Sequence, residues 1–424
     1  MPAAGAVGAW PEQDRRYHWP RARGWVPQQS ATALLGPKDL KSPGPAWNFH
    51  HPLSKHATNI VGGPLFDDER NLYVSTADGI RKFTPEGRML WHYQAPHGGL
   101  TGAPSLMGGK VFSNTQQGYY FSVSMETGQE LWAHKYAQDT GTDCSYSEAY
   151  DGVVIADADQ AVPEMHGGGA RIIGMNASTG GMLWEFRPQI MVWNFMALFP
   201  GDGTFLFMDV EGGVARHWIH NGTQIYFAPG PPDAVWPWSF TDGGMSIGPG
   251  GVAYTCSNFG RGSVHTWGVI RAVRISDGRL LWQTDLPQPC NSWPAIGRLP
   301  HHDKDSVVVV PGSFAGSCPA FSGAVPAWLP LYPRLALHSL SLWLARRGWQ
   351  QLLWRNPTLY SLVWVLDAET GRTQWLYQVE PYTQVACKGH EEGFLEQEIF
   401  RNTRHESTPP WSAPTISGDG TIYI

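Results

Sequence analysis

Four polar residues are the first candidates for chemistry, because they lie in two long loops rich in polar and aromatic residues. Asp242 belongs to the loop 231–243, and Asn258, Arg261 and His265 belong to the loop 256–267. Carboxylate and amide oxygens are ligands for calcium, and an arginine can hold a carboxylate. Most loop side chains of these types are solvated, so the four residues predict a binding site only if the fold brings their loops together.

Well-known catalytic and metal-binding motifs are absent from the sequence. There is no phosphate-binding loop, no H-E-x-x-H, no G-x-S-x-G and no dinucleotide fingerprint. The five cysteines have no metal-ligand spacing. Their odd number leaves at least one thiol unpaired in a monomer, although one or two disulfide bridges can form. The sequence therefore predicts no metal site and assigns no catalytic residue.

A repeated pattern, Gly-x-x-x-Trp at the end of a strand-like run, indicates the elements that would position these loops. It occurs five times, a sixth copy has tyrosine in the aromatic position, and successive aromatics from Trp91 to Trp282 are 41 to 56 residues apart. A period of roughly 40 to 50 residues built from short strands is typical of a β-propeller. The glycine would form a tight turn, and the ring would pack against the neighbouring blade. The predicted docking rings are Trp91, Trp132, Trp184, Tyr226, Trp282 and Trp375.

A second pattern, strand–turn–strand, precedes each copy of the first. It predicts the inner hairpin of a four-stranded blade. Seven such hairpins occur, the last from Ser412 to Ile424. Near the start of the chain, Trp47 stands in the aromatic position with no inner hairpin before it. Joining the two ends would complete a seventh blade and remove two open sheet edges. The sequence thus predicts an all-β propeller of seven blades, or alternatively a truncated one of eight.

The repeat resembles the PQQ-type propeller repeat, which is also called quinoprotein alcohol dehydrogenase-like. The best match is at Val365, Asp367, Thr370, Gly371 and Trp375, whereas serine or arginine replaces the aspartate in other copies. The family includes quinoprotein dehydrogenases and the scaffold lipoprotein of bacterial outer-membrane assembly. The resemblance therefore implies the fold and leaves two classes of function open.

A dehydrogenase of this family would need PQQ and calcium, held by basic, amide and carboxylate groups. The family's pair of adjacent cysteines is absent, and its calcium-binding and base motifs are not recognisable here. The resemblance therefore favours a non-catalytic binding or scaffold protein with a protein partner and no cofactor. The alternative is a PQQ-dependent alcohol or sugar dehydrogenase.

The interval between Trp282 and Trp375 is longer than one blade, and we place the excess at residues 318–358 of the sixth blade. Prolines bound its Leu- and Trp-rich centre, which predicts one or two short helices. No Asp or Glu occurs in 306–366. The insertion would cover the propeller, bind a partner or touch a membrane surface. The arginines that would form this surface are Arg334, Arg346, Arg347 and Arg355.

Composition and charge set limits on function. With a net charge of −6, the chain has no electrostatic footprint for nucleic acid, so nucleic-acid binding is excluded. Residues 1–30 contain arginines but no apolar core of signal-peptide length, and we expect a disordered leader ahead of a propeller spanning 31–424. A transit peptide is the alternative for this leader. No signal peptide or transmembrane helix is recognisable, so the compartment stays unknown.

Overall fold

The computed structural model describes residues 17–38, 45–53, 58, 60–140, 145–162, 167–234, 241, 243–260, 267–286, 290, 292–311, 333, 362–378 and 413–424. The elements bounded within these ranges are strands, and they form seven antiparallel sheets. Strands pair in the order in which they follow along the chain, so each sheet is a simple meander. This is the all-β architecture that the repeat predicts.

Five sheets have four strands, the fourth has three and the seventh has two. The first and second sheets contain β1 (Leu65–Phe66), β2 (Leu72–Thr76), β3 (Gly79–Phe83), β4 (Met89–Gln94), β5 (Ser105–Met107), β6 (Lys110–Asn114), β7 (Tyr119–Ser124) and β8 (Glu130–Lys135). The third and fourth contain β9 (Glu148–Tyr150), β10 (Val153–Val162), β11 (Gly167–Asn176), β12 (Met182–Phe186), β13 (Thr204–Met208), β14 (Val214–Trp218) and β15 (Gln224–Ala228). The fifth to seventh contain β16 (Met245–Gly248), β17 (Val252–Phe259), β18 (Trp267–Arg274), β19 (Leu280–Leu286), β20 (Ala295–Arg298), β21 (Asp305–Val309), β22 (Leu362–Asp367), β23 (Thr373–Gln378), β24 (Thr415–Ile416) and β25 (Ile422–Tyr423).

The last strand is the most exposed strand in each of the first two sheets, whereas the strands before it are mostly buried. Every residue of β5 and β9 is buried, whereas β4 and β8 expose about half of their residues. In a propeller blade the first strand lies at the axis and the last lies at the rim. The sheets therefore point their first strands toward a common centre, which is where loops and termini can form a site.

Each predicted docking ring is the third residue of the last strand in its sheet. In five of the six rings, the polar atom donates a hydrogen bond to a backbone carbonyl of the following sheet. These bonds join Trp91 to Met125, Trp132 to Ala177, Trp184 to Ile219, Tyr226 to Ile275 and Trp282 to Ala368. Trp132 and Trp184 are buried, and the other four rings are half-buried because the rim is close to solvent. The repeat therefore predicted the docking positions correctly, but overestimated the burial of four rings.

The turn glycine of one sheet is the surface on which the ring of the previous sheet rests. A Cβ atom at Gly222 would lie 2.7 Å from the Trp184 ring, and one at Gly180 would lie 2.5 Å from the Trp132 ring. Both glycines also have positive φ, which favours glycine over other residues. The glycine is thus required twice, once for the turn and once for the close approach of the ring.

Gly222→Ala is expected to destabilise the protein more than Gly152→Ala. Both glycines have φ between +60° and +80°, but the space around Gly152 is open within 4 Å. The two variants therefore share a backbone cost of about 1 kcal/mol, and Gly222→Ala adds roughly 1–3 kcal/mol because the methyl group displaces the Trp184 ring. Thermal unfolding measures the difference. Equal shifts in melting temperature would contradict the ring contact.

Residues 17–38, here called the axial segment, correct the expectation of a disordered leader over residues 1–30. Arg21, Gln28 and Ser30 are completely buried, and Val26 is 4% exposed. Arg21 and Gln28 form hydrogen bonds with the distant residues Ala149 and Ala197. Such long-range contacts leave no local pattern in the sequence. The chain is therefore packed into the propeller from Tyr17 onward. Residues 1–16 lie outside the described ranges.

The two ends of the described chain meet through the axial segment. Ile416 of β24 donates to Ser30 and accepts from Thr32, at 3.0 and 2.9 Å. Trp47 lies against the first sheet, where its Nε1 donates to Pro85 and a Cβ atom at Gly87 would contact its ring. These contacts do not fix the number of blades, which stays a prediction.

The predicted insertion at 318–358 lies outside the described residues except for Pro333, so its helices stay a prediction. Within the described ranges, no helix has the length and apolar character needed to cross a membrane.

Candidate functional site

The axial segment runs along the first strands of several sheets. Its backbone is hydrogen-bonded to four of these strands, at distances of 2.7 to 3.0 Å. The bonds join Trp19 to Phe66 in β1, Pro20 to Leu106 in β5, Gln29 to Ile296 in β20 and Ser30 to Ile416 in β24. Because first strands surround the propeller axis, the segment occupies the axial region itself.

Arg21 is the most deeply buried charged residue of the axial segment. Its Nη2 atom donates to the carbonyl of Ala149 at 2.8 Å. Its guanidinium carbon lies 5.4 Å from the Tyr150 ring centroid and 5.6 Å from that of Phe199. Contacts of this kind with aromatic faces stabilise a desolvated cation. Arg21 therefore fastens the axial segment to the third sheet and to the residues that lead into the fourth.

Glu148 of β9 lies beside this cation and is itself completely buried. Burial raises the pKa of Glu148 to about 8, while the charges of Arg21 and Arg23 and the N–H of Ala22 act in the opposite direction. A buried carboxyl faced by arginines is an electrostatic contact that holds two elements in one geometry. Electrostatic contacts, in addition to backbone hydrogen bonds, therefore hold the axial segment against the third sheet.

A second buried carboxyl, Asp157 of β10, lies in a polar network between the second and third sheets. The Ser145 hydroxyl donates to one of its oxygens, and the Asn114 amide donates to Ser145 at 3.0 Å and to Thr101 at 3.1 Å. The other carboxyl oxygen of Asp157 is buried without a hydrogen-bond partner. Burial raises the pKa of Asp157 to about 7. The network therefore holds two blades together, while burial, opposed by the hydrogen bond from Ser145, favours a neutral carboxyl at Asp157.

Asp157→Asn is expected to change how stability depends on pH. With its pKa raised to about 7, Asp157 keeps its proton in the folded state while the unfolded chain releases it near pH 4. Wild-type stability should therefore fall as pH rises between these values, by up to about 4 kcal/mol. The amide of the variant would be uncharged at every pH, so the variant should be more stable than wild type at about pH 8 and similar at about pH 4.

Melting temperatures at these two pH values test this expectation, with Asp68→Asn at an exposed position as the control. Parallel pH profiles for wild type and Asp157→Asn would show that the carboxyl of Asp157 is ionised in the folded protein.

An open cavity of about 820 Å³ lies beside the axial segment, between that segment, β1 and the residues around β24. His18, Arg23 and Arg70 are basic residues of its wall, and among the described lining residues there is no carboxylic acid or amide. Aromatic and aliphatic side chains form much of the remaining described wall. We call this space the axial cavity. It has the size of a ligand pocket.

The axial cavity can be compared with what PQQ and calcium would require. Basic side chains can hold carboxylates, but calcium takes several oxygen ligands, usually from carboxylates and amides. Within the part of the lining that the structure describes, the oxygen atoms belong to hydroxyl and backbone groups. Over the described residues, no three His, Cys, Asp or Glu side chains lie together as a metal site. The described residues of this cavity do not fit calcium-bound PQQ.

Of the four residues predicted from loop composition, only Asn258 is described. It lies in β17, where its amide oxygen accepts from the N–H of Cys290 at 2.6 Å. Cys290 also forms a disulfide with Cys256, and both cysteines are buried. Asn258 thus positions the loop that carries this disulfide. Asp242, Arg261 and His265, like Arg334, Arg346, Arg347 and Arg355 of the predicted insertion, lie outside the described residues.

The axial site was missed by sequence reasoning, although one signal was present. In residues 19–25 arginines alternate with small residues between two tryptophans. Arginines can make cation–π contacts, and Arg21 and Arg23 do so with rings outside this run, Tyr150 and Trp293. This run distinguishes the axial segment from an ordinary disordered leader.

Comparison with known proteins supports the fold. Residues 46–161 match the sequence profile of the outer membrane protein assembly factor BamB. A quinohemoprotein alcohol dehydrogenase from Comamonas testosteroni is 12% identical, with a TM-score of 0.59 over 98% of this chain and 70% of that one. The quinohemoprotein alcohol dehydrogenase ADHIIG from Pseudomonas putida HK5 is 11% identical, with a TM-score of 0.55 over 87% of this chain and 66% of that one.

A search of curated proteins found no match. The chain spans about two thirds of the length of either dehydrogenase, and identities this low show the fold alone. The repeated docking geometry and the shared fold show that the chain is a β-propeller. Its residues 46–161 are similar to the outer membrane protein assembly factor BamB.

Proposed function

We propose that this chain is a non-catalytic propeller that binds a protein partner. The observation that carries the proposal is the position of the axial segment, which is hydrogen-bonded to first strands around the axis and buries Arg21 and Gln28 completely. The axial segment therefore occupies part of the space along the first strands, and the described lining of the cavity beside it offers no carboxylate or amide oxygen to calcium. The profile match to an assembly factor supports the same class of function.

The alternative function is that of a PQQ-dependent alcohol or sugar dehydrogenase. It is supported by the fold shared with two quinohemoprotein dehydrogenases, and a shared fold does not by itself carry an activity. The basic residues of the axial cavity suit carboxylates, but its lining lacks the oxygen ligands of calcium. This mismatch makes the binding protein the better proposal.

Incubation with PQQ and calcium chloride, followed by gel filtration, tests the proposed function. We expect no quinone absorbance in the protein peak and no reduction of an electron-accepting dye when alcohols or sugars are added. The proposal would be overturned by stoichiometric co-elution of the quinone together with alcohol-dependent or sugar-dependent dye reduction.

The segment 318–358 is proposed as an additional contact surface for the partner, with peripheral membrane contact as the alternative. Its long acid-free run carries Arg334, Arg346, Arg347 and Arg355. Replacing it with a short glycine linker should abolish binding of anionic vesicles if it touches membranes. If it only covers the propeller, the deletion should lower the melting temperature and leave vesicle binding unchanged.

A further inference from the structure

The Cys256–Cys290 disulfide closes the outer half of the fifth sheet. Cys256 lies in β17, the second strand of this sheet, and Cys290 follows β19, the last strand, 34 residues later. Both cysteines are completely buried. The N–H of Cys290 also donates to the amide oxygen of Asn258 in β17 at 2.6 Å. The disulfide therefore fixes the place where the chain leaves the fifth sheet on its way to the sixth.

Residues 292–294, here called the lead-in, precede the body of β20 and are held on the start of the fifth sheet. The carbonyl of Ser292 accepts from the N–H of Gly244 at 3.1 Å, and the carbonyl of the last lead-in residue accepts from the Ser246 hydroxyl at 2.7 Å. A Cβ atom at Gly244 would lie 1.8 Å from Nε1 of Trp293, so the indole ring rests directly on this backbone. The position of the Trp293 ring therefore depends on where the lead-in is held.

The lead-in also connects the disulfide to the axial segment. The guanidinium carbon of Arg23 lies 4.5 Å from the centroid of the Trp293 ring, which is a cation–π contact. The charge of Arg23 acts in turn on buried Glu148. Two residues after the lead-in, the N–H of Ile296 donates to the carbonyl of Gln29 at 2.9 Å. These contacts need the lead-in in its present position, so movement at its disulfide end would disturb the axial segment.

We propose that the Cys256–Cys290 disulfide is an oxidative lock for the axial segment. When the bond forms, the two thiols lose two protons and two electrons, and a disulfide oxidant such as oxidised glutathione takes them up and becomes two thiols. The bond fixes the lead-in, and the fixed lead-in holds the axial segment in place through Trp293 and Ile296. A cross-link restricts the open states of the chain that it encloses, so the locked segment opens less often.

Burial of the disulfide makes the lock persistent. Because both sulfur atoms belong to completely buried residues, a reductant in solution does not reach them while the fifth sheet is closed. Oxidation during folding therefore decides whether the axial segment is locked. This inference goes beyond the proposed function, since the lock controls the segment whichever partner the propeller binds.

Trypsin reports release of the axial segment, because Arg21 is completely buried and cannot enter a protease site while the segment is in place. The test compares the full chain with the double variant Cys256→Ala and Cys290→Ala under native conditions, and mass spectrometry follows cleavage after Arg21. We expect cleavage to be about tenfold faster or more in the variant, since its rate tracks the population of the open segment. Equal rates in the two proteins would overturn the proposal.

Cleavage after Arg216 separates release of the axial segment from unfolding of the propeller. Arg216 is half-buried in β14 of the fourth sheet, whereas both cysteines belong to the fifth sheet and the connection that follows it. We expect the rate after Arg216 to be the same in wild type and in the double variant. A rise after Arg216 as large as the rise after Arg21 would show general destabilisation and would reject the lock.

Trp293→Ala tests the path through the lead-in and leaves the cysteines in place, so it decides the question even if the double variant does not fold. Thiol titration after denaturation verifies that the disulfide has formed. We expect faster cleavage after Arg21 than in wild type. Trp218→Ala, at a position that is 47% exposed in the fourth sheet, is the matched control and should change nothing. Equal cleavage in the two tryptophan variants would reject the role of the lead-in.

Refolding of the wild-type chain links the lock to oxidation. The protein is refolded with either oxidised or reduced glutathione, and alkylation after denaturation reads the state of Cys256 and Cys290 in each sample. We expect Arg21 to be protected from trypsin in the oxidised sample and to be cleaved in the reduced sample as fast as in the double variant. Full protection of Arg21 in a sample with both thiols reduced would overturn the proposal.

Discussion

Arg21→Met is expected to lower the free energy of unfolding by about 3–5 kcal/mol at about pH 9, where Glu148 is ionised, as removal of one partner from a buried charge contact usually does. The variant loses the hydrogen bond to Ala149 and the contacts with two aromatic rings, and it removes one of the two arginines whose charge acts on buried Glu148. Denaturant unfolding measures the effect, with Arg88→Met at an exposed position as the control. Similar stability losses in both variants would contradict the structural role of the axial segment.

The electrostatic part of this effect can be separated by adding Glu148→Gln. Because the pKa of Glu148 is about 8, its carboxyl is ionised at about pH 9 and largely neutral at about pH 6. The coupling energy between Arg21→Met and Glu148→Gln should therefore be larger at the higher pH. Equal coupling at both pH values would show that the two side chains do not interact through charge.

Trp184→Ala is expected to cost about 3–5 kcal/mol, because truncating a buried tryptophan removes its contacts and leaves a cavity. The ring is 8% exposed, stacks with Phe205 at a centroid distance of 5.7 Å and donates to Ile219 at 2.8 Å. Trp218→Ala is the matched control, since Trp218 lies in the neighbouring sheet with 47% exposure. Comparable losses in melting temperature for the two variants would argue against docking of the Trp184 ring between sheets.

The sequence predicted those features that are repeated along the chain. The six copies of the Gly-x-x-x-aromatic pattern located the last strand of six of the seven sheets, and all six rings occupy the same position in that strand. They did so because a turn and a docking ring are local requirements that every blade must meet separately. The turn glycine also contacts the docking ring of the preceding blade. This second role involves two blades, so a single copy of the sequence pattern could not predict it.

Features that occur once were not predicted. The axial segment has no hydrophobic period, and its buried residues Arg21 and Gln28 are types that usually mark the surface. Their partners, Ala149 and Ala197, are more than 100 residues away. The bridge between Cys256 and Cys290 likewise follows no spacing rule. The candidate site therefore depends on contacts that only the assembled sheets create.

The path of the axial segment has a consequence for cooperativity. The stability of stacked repeats is usually the sum of the stability of each repeat and of the interfaces between neighbouring repeats. A damaged repeat can therefore open with little effect on distant ones. Here one continuous segment bonds to the first, second, sixth and seventh sheets. Opening of any of these sheets disturbs an element that the others share. Blades that never touch are thus energetically linked, and the propeller should unfold as fewer, larger units than its repeats alone would give.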